Sequence, residues 1–354
     1  MSFIKPSFRH PNAPTNALGL TTKAYEGGIS TLCAGCGHDS ISSAIMQAVW
    51  GLNIPPHRVA KMSGIGCSSK SPNYFLNKAH GFNSVHGRMP SVTTGANVAN
   101  RDLLYIGVSG DGDTASIGMG QFAHVIRRNL NMTYIVENNG CYGLTKGQDS
   151  ATADEGHKSK KGKVNPFESI DLVALALELG ATFVARSFSG DKDQLVPLLQ
   201  AAMSHKGFAL LDVVSPCVTF NNHPGSTKSY DYTREHVQAG SVVDFVPMEQ
   251  EITLEQIKGS TQEVALHNGD SVRLSKLNDN YDPTDRVNAI KVLHEHKSDD
   301  KLLTGLIYLE PESDNFHDIL NLPETPLNQL KEDSLCPGSS ALNGINSGLK
   351  YTQI

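Results

Sequence analysis

The chain has 354 residues, of which 39% are hydrophobic and 19% are charged, and its formal net charge is −6. This composition is typical of a globular protein and excludes a disordered chain, while the negative charge argues against nucleic acid or an anionic membrane as a partner. The sequence has no run of 18 apolar residues and no apolar segment near its N-terminus, so we expect no membrane span, no signal peptide and a cytoplasmic location.

The N-terminal and central parts of the chain predict an arm followed by an α/β domain. Residues 1–28 are rich in turn formers, and residues 29–225 alternate short apolar runs with amphipathic stretches, which is typical of a parallel sheet flanked by helices. The predicted strands are Arg58–Ser63, Leu103–Val108, Met132–Val136, Thr182–Arg186 and Phe208–Val214. The predicted helices are Asp39–Trp50, Ser116–Arg128, Phe167–Leu179 and Asp191–His205.

The sequence pattern of residues 226–354 differs from that of the preceding domain, and this difference predicts a C-terminal extension rather than an independent catalytic domain. The predicted elements are a hairpin of Glu263–Leu266 and Ser271–Leu274 with a two-residue turn at Asn268-Gly269, a helix Asp285–His294 capped by Thr284, and a strand Leu303–Leu309. The last 40 or so residues carry prolines, serines and glycines and predict an extended tail.

Polar motifs follow two predicted strands. Gly110-Asp111-Gly112-Asp113 comes after the second strand, and Asn138-Asn139-Gly140 comes after the third. The carboxyl ends of parallel strands meet at one sheet edge, where α/β folds bind ligands. Asp111 and Asn139 offer oxygen ligands that suit Mg²⁺ and leave positions open for a diphosphate. A lone Gly-Asp-Gly is usually a tight turn, but its pairing with Asn-Asn after residues 113–137 resembles the thiamine diphosphate signature.

Four cysteines lie near the same predicted edge. Cys33-Ala34-Gly35-Cys36 precedes the first helix, Cys67 follows the first strand and Cys217 follows the last. Four converging thiolates would suit an iron–sulfur cluster or a structural zinc, and the CxxC pair alone could be a dithiol redox motif or unrelated thiols. The thiamine context favours the cluster, because decarboxylation leaves electrons that a one-electron acceptor can take and zinc cannot. Cys141 and Cys336 are predicted not to be cluster ligands.

These motifs resemble the β subunit of 2-oxoacid:ferredoxin oxidoreductases, and most closely that of the 2-oxoglutarate enzymes, over residues 30–227. The motifs that carry the resemblance are Cys33-Ala34-Gly35-Cys36-Gly37-His38, Gly64-Ile65-Gly66-Cys67-Ser68-Ser69-Lys70, His86-Gly87-Arg88, Gly110-Asp111-Gly112-Asp113, Gly143-Leu144-Thr145-Lys146-Gly147-Gln148 and, in the extension, Tyr281-Asp282-Pro283-Thr284-Asp285-Arg286.

The resemblance implies a thiamine diphosphate-binding fold and a set of site residues. The implied ligands of one 4Fe–4S cluster are Cys33, Cys36, Cys67 and Cys217, and those of Mg²⁺ are Asp111, Asn139 and the backbone carbonyl of Cys141. The residues implied to line the thiamine diphosphate site are Ile65, Gly66, Cys67, Ser68, His86, Gly112, Asp113, Gly143 and Leu144. The residues implied to face the substrate are Lys70, Leu144 and Lys146. Lys70 would meet the distal carboxylate of a dicarboxylic 2-oxoacid, and otherwise it is a phosphate-screening or solvent lysine.

The resemblance also implies partners. Thiamine enzymes need a glutamate on a second domain, which this chain lacks, so an α or fused γα subunit is implied, in a dimer of αβ heterodimers. The implied reaction is reversible, coenzyme A-dependent oxidative decarboxylation of 2-oxoglutarate to succinyl-CoA and CO₂, with electrons passed to ferredoxin. Alternatives are the same chemistry on pyruvate or another 2-oxoacid, and a non-catalytic metal-binding scaffold.

Two remaining features are predicted to be peripheral. His157, His294 and His296 are expected to be surface or capping residues rather than ligands. The basic stretch Lys158–Lys163 is expected to be a solvated loop or a partner contact, and it would also suit docking of an acidic ferredoxin.

Overall fold

The computed structural model describes residues 12–158, 163–239, 241–246, 261–265, 271–276, 281–298, 301–336 and 338–350. The helices are α1 (Gly37–Gly51), α2 (Met89–Ala99), α3 (Met119–Arg127), α4 (Leu172–Glu178), α5 (Lys192–Ser204), α6 (Tyr230–His236), α7 (Arg286–Ser298), α8 (Phe316–Ile319), α9 (Glu332–Leu335) and α10 (Gly338–Lys350). Short 3-10 segments lie at Thr22–Tyr25, Pro56–Arg58, Ser68–Asn73 and Leu327–Gln329, and a π-helical turn at Gly112–Ile117.

The strands are β1 (Val59–Ser63), β2 (His80–Asn83), β3 (Leu104–Gly110), β4 (Met132–Asn138), β5 (Cys141–Tyr142), β6 (Gln148–Asp149), β7 (Phe183–Phe188), β8 (Phe208–Val214), β9 (Val237–Ala239), β10 (Ser241–Val246), β11 (Thr261–Ala265), β12 (Ser271–Lys276) and β13 (Leu302–Leu309). Within the described residues, the main sheet has the order β2-β1-β3-β4-β8-β7-β13-β9, and only the β13–β7 pairing in it is antiparallel. The predicted α/β class with a mostly parallel sheet is confirmed.

Helices cover both faces of this sheet. One core cluster joins side chains of α1 and α5 to the sheet, and the other joins side chains of α3, α4 and α7 to the opposite face. β4 is buried along its whole length, as expected for a central strand covered on both sides. The sheet is therefore the middle of three layers, and its carboxyl edge remains open between the helices for a site.

Two predicted helices begin later than expected. Asp171 caps α4 by accepting hydrogen bonds from the backbone N–H groups of Val173 and Ala174, so residues 167–171 are not helical. Helix α3 begins at Met119, because the residues after Asp111 form the π-helical turn first. The cap of α7 is the carboxylate of Asp285 rather than the predicted Thr284.

The C-terminal extension contributes to the main sheet. β13 pairs with β7 on one side and with β9 on the other, and its residues from Leu303 to Leu309 are buried. β11 and β12 pair antiparallel as predicted, with Ala265 opposite Ser271, while the predicted turn at Asn268-Gly269 lies outside the described residues. The boundary predicted at residue 225 remains a prediction. No helix of the described segments combines the length and the apolar character needed to cross a membrane.

Candidate cofactor and metal site

The carboxyl edge of the sheet carries one cavity of about 120 Å³. It is lined by all of the residues predicted for the thiamine diphosphate site, namely Ile65, Gly66, Cys67, Ser68, His86, Gly112, Asp113, Gly143 and Leu144. The three predicted magnesium residues, Asp111, Asn139 and Cys141, line it as well. Residues from five separate motifs therefore meet at the place where the strand order predicted a ligand site.

Asp111 and Asn139 are in direct contact. The backbone N–H of Asn139 donates to Asp111 Oδ1 at 3.2 Å, and Thr152 Oγ1 donates to Asp111 Oδ2 at 2.7 Å. Asp111 is 1% exposed, and burial raises the pKa of its carboxyl while these hydrogen bonds partly oppose the rise. A divalent cation beside this carboxylate would offset the cost of burying its charge. The donor set, with Asn139 and the carbonyl of Cys141 nearby, fits Mg²⁺.

Asp113 binds two loops rather than facing open solvent. Its Oδ1 accepts hydrogen bonds from the backbone N–H groups of Ile65 at 3.3 Å and Gly87 at 2.7 Å, and it also contacts His86 Nδ1. A Cβ at Gly64 would lie 1.9 Å from Asp113 Oδ2, so only glycine fits at that position. Asp113 thus holds both loops of the cavity in place.

The four predicted cluster cysteines share one neighbourhood. The N–H of Gly37 donates to the carbonyl of Pro216 at 3.3 Å, which brings the CxxC segment beside Cys217. The sulfurs of Cys67 and Cys217 lie 3.5 and 3.7 Å from the point that a Cβ of Gly143 would occupy, so they are within about 7 Å of each other. Burial is the main cause that raises the pKa of Cys36 and of Cys67; the charge on Cys217 adds to both rises, and that on Cys33 adds to the rise for Cys67.

The thiols differ in acidity. A hydrogen bond from the thiol of Cys141, supported by backbone N–H groups of residues 219–221, lowers the pKa of Cys217 to about 6 against the opposing effect of burial. Burial raises the pKa of Cys36 to about 12. A metal cluster would deprotonate all four, and the convergent thiols fit such a group. In the described part of the chain no three His, Cys, Asp or Glu side chains are already arranged around a single ion position.

Comparisons with known proteins agree with this geometry. Residues 64–213 match the family described as thiamine pyrophosphate enzyme, C-terminal TPP binding domain, and residues 271–323 match the family of the C-terminal part of the pyruvate ferredoxin oxidoreductase beta subunit. A 2-oxoglutarate synthase subunit KorB from Methanocaldococcus jannaschii is 38% identical over 189 residues, which cover 53% of this chain and 69% of that protein. The chain belongs to the family of 2-oxoacid:ferredoxin oxidoreductase β subunits.

Two further proteins are similar to this chain, over different shares of their lengths. A 2-oxoacid:ferredoxin oxidoreductase subunit beta from Saccharolobus solfataricus is 44% identical over 191 residues, 54% of this chain and 63% of that protein, so the match spans less than two thirds of it. A chain of the structure of 2-oxoglutarate:ferredoxin oxidoreductase from Magnetococcus marinus superposes with a TM-score of 0.71 and 28% identity, over 95% of this β subunit and 97% of that chain.

The three residues predicted to face the substrate do not line a single cavity of this β subunit. Leu144 lines the thiamine cavity and is 50% exposed. Lys146 is exposed and lines a neighbouring cavity of about 530 Å³. Lys70 is half-buried in the 3-10 segment after Cys67, where its ammonium counteracts the rise in the pKa of that thiol, a rise caused mainly by burial.

The sequence analysis assigned no role to two buried polar residues of this β subunit. Glu137 and His38 both line the cavity and are almost fully buried. Glu137 Oε2 accepts a hydrogen bond from Ser71 at 2.9 Å, while its Oε1 has no hydrogen-bond partner among the described residues, and burial raises the pKa of this carboxyl well above its ordinary value. Burial lowers the pKa of His38 to about 4. A glutamate at the end of an otherwise apolar strand was the available signal.

The structure overturns the prediction made for one histidine and does not test the prediction made for the basic stretch. His157, predicted to be a surface or capping residue, is only 4% exposed and lies against His223. His294 is exposed on α7 and His296 contacts the carbonyl of Val292, as expected for peripheral residues. Of the stretch 158–163, residues 159–162 lie outside the described residues, so its role remains a prediction.

Proposed function

We propose that this chain is the β subunit of a 2-oxoglutarate:ferredoxin oxidoreductase. The enzyme would catalyse reversible, coenzyme A-dependent oxidative decarboxylation of 2-oxoglutarate to succinyl-CoA and CO₂, and the two electrons released would pass to ferredoxin. The observation that carries the proposal is that the Asp111–Asn139 pair and the four cysteines occupy the same edge of one sheet. The names of the KorB relatives and of the Magnetococcus structure favour 2-oxoglutarate.

Thiamine diphosphate would bind in the cavity with Mg²⁺ held by Asp111, Asn139 and the carbonyl of Cys141. When bound, this cofactor stabilises the negative charge that decarboxylation leaves on the former carbonyl carbon. Gly112 must be glycine, because a Cβ there would lie 2.5 Å from the ring of Tyr142. Asp113 orients the loops that bear Ile65 and His86.

A 4Fe–4S cluster would be held by the sulfurs of Cys33, Cys36, Cys67 and Cys217. Cys67 and Gly143 both line the cavity, and the sulfurs of Cys67 and Cys217 lie within 4 Å of the position that the missing Cβ of Gly143 would occupy. The lack of a side chain there leaves the thiols close to the cofactor cavity, which shortens the path for an electron. Free thiolates of this kind need a reducing compartment, and this supports a cytoplasmic location.

Substrate recognition would use side chains at the rim. Lys70 lies beside Cys67, which lines the cavity, and an ammonium there would pair with the second carboxylate of 2-oxoglutarate. Lys146 lies in a left-handed backbone conformation with φ of 77° and lines the neighbouring cavity. Pyruvate is the second candidate substrate, because residues 271–323 match a family described by that acid.

An α subunit, or a fused γα subunit, would complete the site. The cavity of about 120 Å³ is smaller than the roughly 300 Å³ that small-molecule sites usually enclose, so this chain supplies only part of a site for thiamine diphosphate. Apolar side chains around its mouth are uncovered, with exposed fractions of 40% at Ile65, 74% at Val85 and 44% at Ile117. Such an apolar rim suits a permanent partner, in a dimer of αβ heterodimers.

The decisive experiment is anaerobic purification of the αβ complex, followed by thiamine, iron and sulfide analysis and assays with 2-oxoglutarate and pyruvate. We expect Asp111→Asn to lower bound thiamine at least tenfold, because the magnesium ligand loses its charge. The matched control Asp193→Asn, an exposed aspartate of α5, should retain wild-type content. Wild-type complex without thiamine would refute the proposal, and tenfold faster turnover of pyruvate would overturn the choice of substrate.

A further inference from the structure

Two histidines from distant parts of the chain face each other beside the candidate site. His157 lies in the loop after β6, and His223 lies between Cys217 and α6. Their Nε2 atoms are 3.3 Å apart, their ring centroids are 5.3 Å apart and the ring planes differ by 20°. His157 is buried and His223 is half-buried, so the pair is shielded from bulk water on one side.

Hydrogen bonds at the two Nδ1 atoms determine which ring nitrogens of this pair carry a proton. His157 Nδ1 lies 2.7 Å from Asp149 Oδ1, and His223 Nδ1 lies 3.0 Å from the carbonyl oxygen of Pro224. A carboxylate and a carbonyl can only accept, so both Nδ1 atoms carry a proton. In neutral imidazole the remaining nitrogen then has a free lone pair. Two Nε2 lone pairs therefore point toward the same small volume, which is unfavourable unless a cation lies between them.

The separation of the two nitrogens suits a metal ion. Zinc binds imidazole nitrogen at about 2.0–2.1 Å in tetrahedral geometry, which places two nitrogen ligands about 3.3–3.4 Å apart. The distance of 3.3 Å between the histidines agrees with this value. The contact of Asp149 with His157 reproduces the carboxylate–histidine–metal arrangement in which an acid orients the ring.

We propose that His157 and His223 bind a divalent transition-metal ion of the zinc class, with Asp149 as a positioning residue and water in the remaining coordination positions. Over the described segments of the chain no third His, Cys, Asp or Glu completes a metal set, so the two imidazoles are the protein ligands. The ion would link the loop that follows residues 143–148 to the segment that follows Cys217. This site is separate from the predicted cluster and magnesium ligands, and the inference does not depend on the proposed reaction.

The test measures zinc bound to the full-length chain, purified without oxygen and dialysed against a chelator before Zn²⁺ is added. At equal free zinc, we expect wild type to bind one more equivalent than His157→Gln or His223→Gln, and only wild type to gain the corresponding rise in Tm. Zinc taken up by the cysteines is common to all samples and cancels in the comparison. Asp149→Asn should weaken the extra site about 10–100-fold. His57→Gln, at an exposed histidine, is the matched control and should behave as wild type.

Either of two results would overturn the inference. Equal zinc content and equal Tm shifts in wild type and His223→Gln would show that the pair binds no metal. A pair that shares a proton instead would respond to falling pH and not to zinc. Circular dichroism checks the fold of each variant, and His223→Gln decides the question if the buried His157→Gln fails to fold.

Discussion

At the scale of single residues, two aspartates of the site have different roles. Asp111 and Asp113 are two positions apart in one motif, yet Asp111 contacts the Asn139 backbone and Asp113 ties down the loops at Ile65 and Gly87. Both are buried, so neither can be replaced by a residue that lacks acceptors without leaving backbone N–H groups unpaired. The motif therefore combines the proposed Mg²⁺ ligand, Asp111, with an aspartate that holds two loops together.

The acidity of Cys217 gives a prediction at this scale. In protein that carries no cluster, iodoacetamide at pH 7 should label Cys217 well before Cys36, because only a thiolate reacts and the pKa values are about 6 and about 12. Cys141→Ala removes the hydrogen bond that stabilises the Cys217 thiolate and should slow its labelling. Peptide mass spectrometry over a time course measures both rates. Equal labelling of Cys217 and Cys36 would contradict the assignment.

At the scale of elements, a buried lysine joins β1 to the segment that bears Cys67 and Lys70. Lys61 is 7% exposed, and its ammonium donates to the carbonyl oxygens of Pro72 at 2.7 Å, Phe75 at 2.7 Å and Leu76 at 2.9 Å. These bonds close the end of the 3-10 segment Ser68–Asn73 against the sheet. Nothing in the local sequence distinguishes Lys61 from a surface lysine, because its partners follow it by more than ten residues.

Replacement of Lys61 by Met should lower the free energy of unfolding by about 3 kcal/mol at pH 7, because three buried carbonyls lose their donor. Burial lowers the pKa of Lys61 to about 8 from its ordinary 10.5. Between these values the unfolded chain binds more protons, so the contribution of Lys61 to stability rises with pH, and the Met variant should lack this rise. Urea unfolding at pH 7 to 10 measures it. Lys78→Met, at an exposed site, is the control, and an equal effect there would refute the role.

At the scale of the whole molecule, the C-terminal extension and the α/β domain are joined through the sheet. β13 covers the edge of β7, and Leu303, Leu306 and Ile307 pack into the two cores. Without this strand, β7 would present unpaired backbone groups and an apolar edge. The C-terminal extension therefore need not fold as a unit separate from the α/β domain.

This organisation predicts the behaviour of truncated chains. A fragment that ends after residue 225 should aggregate, because it lacks β13 and exposes β7. A matched fragment that ends after residue 336 removes α10, which has no buried residue among those described, and should remain soluble and folded. Size-exclusion chromatography and thermal unfolding compare the two. A monomeric fragment of residues 1–225 with cooperative unfolding would show that the extension is dispensable for the fold.

The sequence by itself determined the fold class, the bounds of the predicted strands of the α/β domain to within two residues, and the motifs that follow them. These features are local: a buried strand, the glycines after it and the ligand that follows stand next to each other in the chain, as at Gly110-Asp111-Gly112 and Asn138-Asn139. Because parallel strands bring their carboxyl ends to one edge, order along the chain was enough to predict that Asp111 and Asn139 meet.

Only the tertiary structure decided the contacts that join distant segments. The burial of Glu137 beside Ser71, the facing of His157 and His223, and the insertion of β13 beside β7 all depend on how loops and the extension fold back onto the sheet. A histidine such as His157 has the same local sequence whether its side chain lies in water or in the core. Its environment is set by long-range packing, which no periodicity or spacing along the chain records.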